Sequence, residues 1–182
     1  MPGGFSFQSC NLCLRVFLAC VIMAGMEINV LIDEEFEGEL EADWLRGIAE
    51  QVLVTEGAAS ETELGLVVTG QEKIQELNLV HLGIDAPTDV LAFPTSPDEG
   101  SDMPDFVMPP DGITHFGEVI ISFPQAFMQA EEHQHPVKKE VALLVVHGVL
   151  HLLGYDHDVP EREQRMRDRE TEILGLIEEK GW

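Results

Sequence analysis

Apolar positions along this chain follow two periods. Met26–Asp33 (Met-Glu-Ile-Asn-Val-Leu-Ile-Asp) has the short apolar pattern of a strand. Glu63–Thr69, Asp89–Phe93 (just after Pro87) and Glu118–Ser122 read as three more strands. Helical spacing appears in Glu41–Glu56, where Trp44, Leu45, Ile48, Val52 and Leu53 share one face. Gly70–His81, with Ile74, Leu77 and Asn78, reads as a second helix. Pro136–Leu153 is the most apolar helix, and Pro160–Glu179 is a charged one that buries Met166, Ile173, Leu174 and Ile177. Pro94–His115, rich in Pro, Asp, Gly and Ser, has neither period and is predicted to be a surface loop. The elements are interspersed without strict alternation and show no internal repeat. This predicts α+β or α/β with one mixed sheet of about four strands.

With 182 residues, 45% of them hydrophobic, the chain suits one domain and is too apolar for global disorder. Its formal net charge of −24 at first argues against a nucleic-acid partner, since polyanions are usually held by Lys and Arg. The charge is uneven, however. Residues 26–137 carry 24 acidic and two basic side chains, whereas residues 138–182 carry ten and seven. Residues 1–25 hold a single charge, Arg15, followed by the apolar run Val16–Gly25. That run is about half the ~20 residues a bilayer span needs, so no stable membrane association is expected. It is compatible with an export signal, a surface anchor or an upstream extension. The strand-like start at Met26 favours the extension, with the folded domain at residues 26–182. Cys10, Cys13 and Cys20 all precede Met26, so the domain itself has no disulfide and gives no sign of an oxidising compartment.

The chemistry concentrates in His147-Gly-Val-Leu-His151-Leu-Leu-Gly154-Tyr155-Asp156-His157. His147 and His151 leave one helix face a turn apart. Gly154 can end the helix in a left-handed conformation and turn the chain back, so that His157 meets the other two. Three such imidazoles suit one Zn²⁺ with a coordination position left open for an activated water. The spacing is that of metzincin peptidases, but Gly148 stands where those enzymes carry a general-base Glu, which weakens a protease reading. Asp156 can orient a ligand imidazole or cap the next turn. The other histidines (His81, His115, His133 and His135) lack comparable spacing, with His133 and His135 expected in solvent at a polar helix end. Glu140, two turns before His147, is expected to face water.

At these residues the chain resembles the YbeY family of rRNA maturation factors, single-strand-specific endoribonucleases. The family's H-G-x-L-H-L-x-G-Y-D-H signature runs unbroken from His147 to His157. Asp85-Ala-Pro87-Thr88-Asp89-Val90-Leu91-Ala92-Phe93-Pro94 is similar to its D-x-P-T-D-V-L-S-F-P segment. Gly117–Ile121 and Glu170–Leu174 match a strand and the final helix. One departure is Leu82, at a position where family members commonly carry an Arg suited to gripping phosphate.

The resemblance implies a zincin-like α+β fold with one Zn²⁺ on His147, His151 and His157. It further implies cytoplasmic hydrolysis of single-stranded rRNA at the 3′ end of the small-subunit RNA, with the ribosome or its small subunit as partner. Thr88, Asp89, Lys138 and Lys139 are the candidate substrate contacts. Arg162, Arg165, Arg167 and Arg169 read as helix ion pairs. No general base is identified. The metal's own hydroxide and attack by the RNA 2′-hydroxyl both remain open. A zinc peptidase and a non-catalytic ribosome-associated zinc protein are the alternatives.

Overall fold

The computed structural model describes residues 25–58, 61–95 and 112–179. The N-terminal apolar run with its three cysteines, and most of the expected loop, lie outside them. Strand β1 (Met26–Ile32), helix α1 (Ala42–Thr55), strand β2 (Thr62–Thr69) and helix α2 (Gln71–Leu82) come first. Strands β3 (Val90–Pro94) and β4 (Thr114–Ser122) follow, then helices α3 (Phe123–His133), α4 (Val137–Leu152) and α5 (Pro160–Glu179). The sheet order is β1-β2-β4-β3, with β1, β2 and β4 parallel and β3 antiparallel to β4. The expected α+β fold with a mixed four-stranded sheet is therefore what forms. No helix among the described residues is long and apolar enough to cross a membrane.

Alternation along the strands divides the apolar side chains between two faces. Leu64, Leu66 and Val68 of β2, with Val119 and Ile121 of β4, enter the main core. There they meet Leu45, Ile48, Val52 and Leu53 of α1, Val145 and Val149 of α4, and Met166 and Ile173 of α5. On the opposite face Leu91 and Ile120 form a small cluster with Ile74 of α2. Ten of the sixteen residues of α4 are buried, so this helix lies within the protein rather than on it.

The periodicity gave no element between Ser122 and Pro136, yet α3 occupies Phe123–His133. Its buried stripe is only Phe123, Ala126 and Ala130, while Phe127 and Met128 are exposed. Two alanines make too faint a stripe to read, and Pro124 is tolerated because it sits in the first turn. Strand β4 also begins earlier than expected, at Thr114, because Thr114 and His115 pair with Thr62 and Glu63 of β2. Glu140 does not face water: it is 3% exposed within the first turn of α4.

Helix α4 packs onto the sheet where Gly148 faces Val119 and Val90. A Cβ at 148 would overlap Val119 Cγ1 and lie 3.3 Å from Val90 Cγ2. We expect Gly148→Ala to lower folding stability by about 1–3 kcal/mol through overpacking, measurable as a lower denaturant midpoint at unchanged slope.

Candidate metal centre and its cleft

Helix α4 sets the His147 and His151 rings edge to face, with centroids 4.6 Å apart. The helix closes as the Gly154 amide donates to the His151 carbonyl and the Tyr155 amide to that of Leu150. Gly154 takes φ +85°, the left-handed conformation the turn needs and a side chain resists. The reversed chain brings the His157 ring to 5.1 Å from His151 and 5.9 Å from His147, centroid to centroid. One nitrogen from each ring lies within 4.8 Å of the others.

Two of the rings are held by acceptors behind them. Glu170 Oε1 on α5 lies 2.7 Å from His147 Nδ1, and the Tyr155 carbonyl lies 3.0 Å from His151 Nδ1. An acceptor at Nδ1 places the proton there and leaves Nε2 with a lone pair. The two Nε2 atoms then face each other 3.0 Å apart. A shared proton would require one ring to be charged. Burial lowers the His151 pKa below the usual imidazole value, and the charges on His147 and His157 push it the same way, outweighing the Tyr155 carbonyl and Asp156. Three converging imidazole nitrogens, two of them backed by a carboxylate and a carbonyl, are a donor set that fits a metal ion.

The centre opens into a cleft of ≈ 850 Å³ whose lining includes Thr88, Asp89, the whole of β3, and His81 and Leu82 of α2. Thr88 and Asp89 are thus brought to the centre, but the Asp89 carboxylate is already engaged. Its Oδ1 accepts from the Val90 amide at 2.9 Å and the Thr88 hydroxyl at 3.1 Å, and its Oδ2 accepts from Gln129 Nε2 at 2.9 Å. Lys138 and Lys139 do not line this cleft. Lys138 Nζ donates to Glu41 at 2.9 Å and lies over the Trp44 ring, and Lys139 Nζ donates to Glu178 at 3.1 Å. Asp156 Oδ1 accepts from the His157 amide at 2.7 Å, so it caps the turn instead of meeting a ring nitrogen.

Among the described residues Arg162 is the single Lys or Arg in the lining, 3.4 Å from Asp158. Leu82 is 59% exposed there, an apolar side chain at the cleft wall. Position 148 also borders the cleft, but any side chain there would have to displace Val119.

Two supporting residues were not singled out as such by the sequence, although Glu170 opens the segment that resembles the family's final helix. Glu170 is one of many acids on α5, and nothing in its spacing marks it as the one facing His147. Glu56, the C-cap of α1, accepts from the Tyr155 hydroxyl at 2.8 Å and from Arg169 Nε at 2.8 Å. It thereby pins the segment between His151 and His157 from a position about a hundred residues earlier.

Comparison with known proteins is consistent with this geometry. The family profile described as Endoribonuclease YbeY matches residues 29–178. The chain belongs to the YbeY family. Endoribonuclease YbeY of Dehalococcoides mccartyi strain 195 is 43% identical over 166 residues, covering 90% of this chain and 96% of the relative. The Roseiflexus castenholzii protein of the same name is 38% identical over 155 residues, covering 85% and 94%. The solution structure of TM1509 from Thermotoga maritima superimposes with a TM-score of 0.52 at 25% identity, covering 85% of this chain and 93% of that one.

Within this YbeY family member, Glu170→Gln keeps the side-chain shape and removes the charge behind His147. Its expected effect is a 10–100-fold loss of metal affinity with little change in fold, read by competition with a chromophoric chelator.

Proposed function

We propose that this protein is a zinc-dependent single-strand endoribonuclease that matures ribosomal RNA in the cytoplasm, acting at the 3′ end of the small-subunit RNA with the ribosome or small subunit as partner. The observation that carries the reading is the convergence of three imidazoles at the mouth of an open cleft, in a chain of the YbeY family. Three imidazole nitrogens suit one Zn²⁺, held by His147, His151 and His157 with a position left free. Bound there, the ion would supply Lewis acidity toward a phosphoryl oxygen and an activated water.

The chain's own residues do the positioning. Glu170 and the Tyr155 carbonyl keep the Nδ1 protons on His147 and His151, so that the opposite nitrogens stay available. Asp89 accepts from the Thr88 hydroxyl and the Val90 amide and so holds the Thr88 segment at the cleft wall, where its backbone would meet RNA. With glycine at 148 there is no carboxylate between the two histidines to act as base, which speaks against peptide hydrolysis of the metzincin kind. Attack by the RNA 2′-hydroxyl needs no water-activating carboxylate at that position. Leu82 favours a second reading, a ribosome-associated zinc protein without cleavage, because it leaves Arg162 as the single arginine or lysine facing the cleft among the described residues.

The test is cleavage of single-stranded rRNA fragments by the full chain. Chelator treatment and His151→Ala should each reduce cleavage to background. RNA cleavage that survives both would defeat the zinc-nuclease reading. Absence of cleavage on RNA and within small subunits alike would favour the non-catalytic one. A 2′,3′-cyclic phosphate on the product would exclude direct attack by water.

The charge of −24 adds a separate expectation, weak binding of naked RNA at physiological salt. Leu82→Arg should tighten that binding by about tenfold at low salt, with the gain shrinking as salt rises, as a filter-binding titration would show.

A further inference from the structure

A second cluster of metal-ligating side chains lies at the corner between α3 and α4. His133 ends α3, Pro136 caps the start of α4, and Glu140 sits in the first turn of α4. Gln134 between them adopts the left-handed region at φ +57°, which turns the chain so that both flanking rings face Glu140. His135 Nε2 lies 2.9 Å and His133 Nδ1 3.4 Å from the same carboxylate oxygen, Glu140 Oε2. Donor atoms of the three side chains fall within 4.8 Å of one another.

Hydrogen-bond arithmetic leaves this cluster short of positive charge. His135 Nδ1 is 3.2 Å from the Pro136 carbonyl, an acceptor only, so the proton of a neutral ring sits on Nδ1. Its Nε2 lone pair then points at a carboxylate oxygen at hydrogen-bond distance. Glu140 is nearly sealed from water, its side chain 4% exposed, and neither Lys138 nor Lys139 reaches it: both are bonded to other acids. His133 Nδ1 at 3.4 Å is a weak donor to Glu140, and a carboxylate this buried needs a cation or closer donors. The arrangement at His135, a backbone carbonyl behind Nδ1 with Nε2 facing other donors, repeats that of His151 in the main centre.

We propose that His133, His135 and Glu140 form a second metal site, for a divalent ion of the zinc class. Two imidazoles and one carboxylate are the donor types that zinc takes, whereas magnesium and calcium prefer oxygen throughout. Glu140 and His147 are seven residues apart on one helix, about 10 Å along its axis. Two ions that share a substrate sit about 3.5–4 Å apart, so this one takes no part in a two-metal centre. Its role is to tie the end of α3 to the entry of α4, the helix that carries His147 and His151.

The experiment is metal stoichiometry of the full chain, stripped with chelator, reloaded with Zn²⁺ and desalted. Elemental analysis should find one zinc fewer per chain in His135→Ala and in Glu140→Gln than in wild type. The His151→Ala protein, loaded with Co²⁺, should show a visible d–d band that His135→Ala/His151→Ala lacks. Equal zinc in wild type and His135→Ala, with no difference between those two cobalt spectra, would overturn the proposal and leave a protonated histidine–glutamate pair in its place. Because His135 is a corner residue, its replacement tests the site even if Glu140→Gln fails to fold. Stoichiometry is also read without reference to RNA cleavage. Loss of one zinc in His135→Ala would therefore stand even if the main centre proved empty or inactive.

Discussion

Everything about the candidate centre depends on how closely α4 approaches the sheet at Gly148. The helix lies against β3 and β4 with Val119 and Val90 filling the space that a side chain at 148 would need. That contact brings His147 and His151 to the wall of the cleft beside β3, close to Thr88 and Asp89, without a long loop to carry them. It also disfavours a glutamate between the two histidines. One packing constraint therefore both builds the donor set and removes the general base that the same spacing carries in metzincins. The glycine suits the close packing of α4 on β3 and β4 and need not be read as a lost catalytic group.

Much of this was legible in the chain. The four strands and the apolar α4 follow from periodicity, and the histidine spacing with Gly154 gives the convergence of three rings. What could not be read has specific physical causes. Helix α3 buries mainly alanines, and its exposed Phe127 and Met128 blur the pattern. Glu56 looks like any surface acid, and Glu170 is marked only by the family-like segment it opens, because tertiary packing decides which carboxylate meets a ring or a hydroxyl. Glu140 carries the opposite lesson: a charge at the start of a helix was expected in water, yet the α3–α4 corner folds over it. Lys138 and Lys139 seemed available for phosphate, but acids from distant parts of the chain reach them first.

The same unevenness governs electrostatics. Most of the negative charge belongs to residues 26–137, and many of the basic side chains of the last third are spent on local or long-range ion pairs. The cleft is consequently poor in fixed positive charge, with Arg162 at one end and Leu82 where a guanidinium would be useful. A metal ion on three imidazoles would then be the strongest local positive charge facing substrate. Selection of RNA would rest on that ion and on docking to a larger particle, with little help from long-range attraction.

The Glu56 junction has a consequence for how the protein opens. Tyr155 and Arg169 both hang on this one carboxylate at the end of α1, and Glu170, next to Arg169, holds the ring of His147. If α5 peels away, Glu56 loses Arg169, the Tyr155 ring loses Arg165 and His147 loses its acceptor in the same event. Ion retention and the docking of α5 are then one cooperative unit, so occupancy of the centre adds its binding free energy to the resistance of the C-terminal helix to local unfolding. Amide exchange along α5 would consequently report on an ion that touches none of its residues.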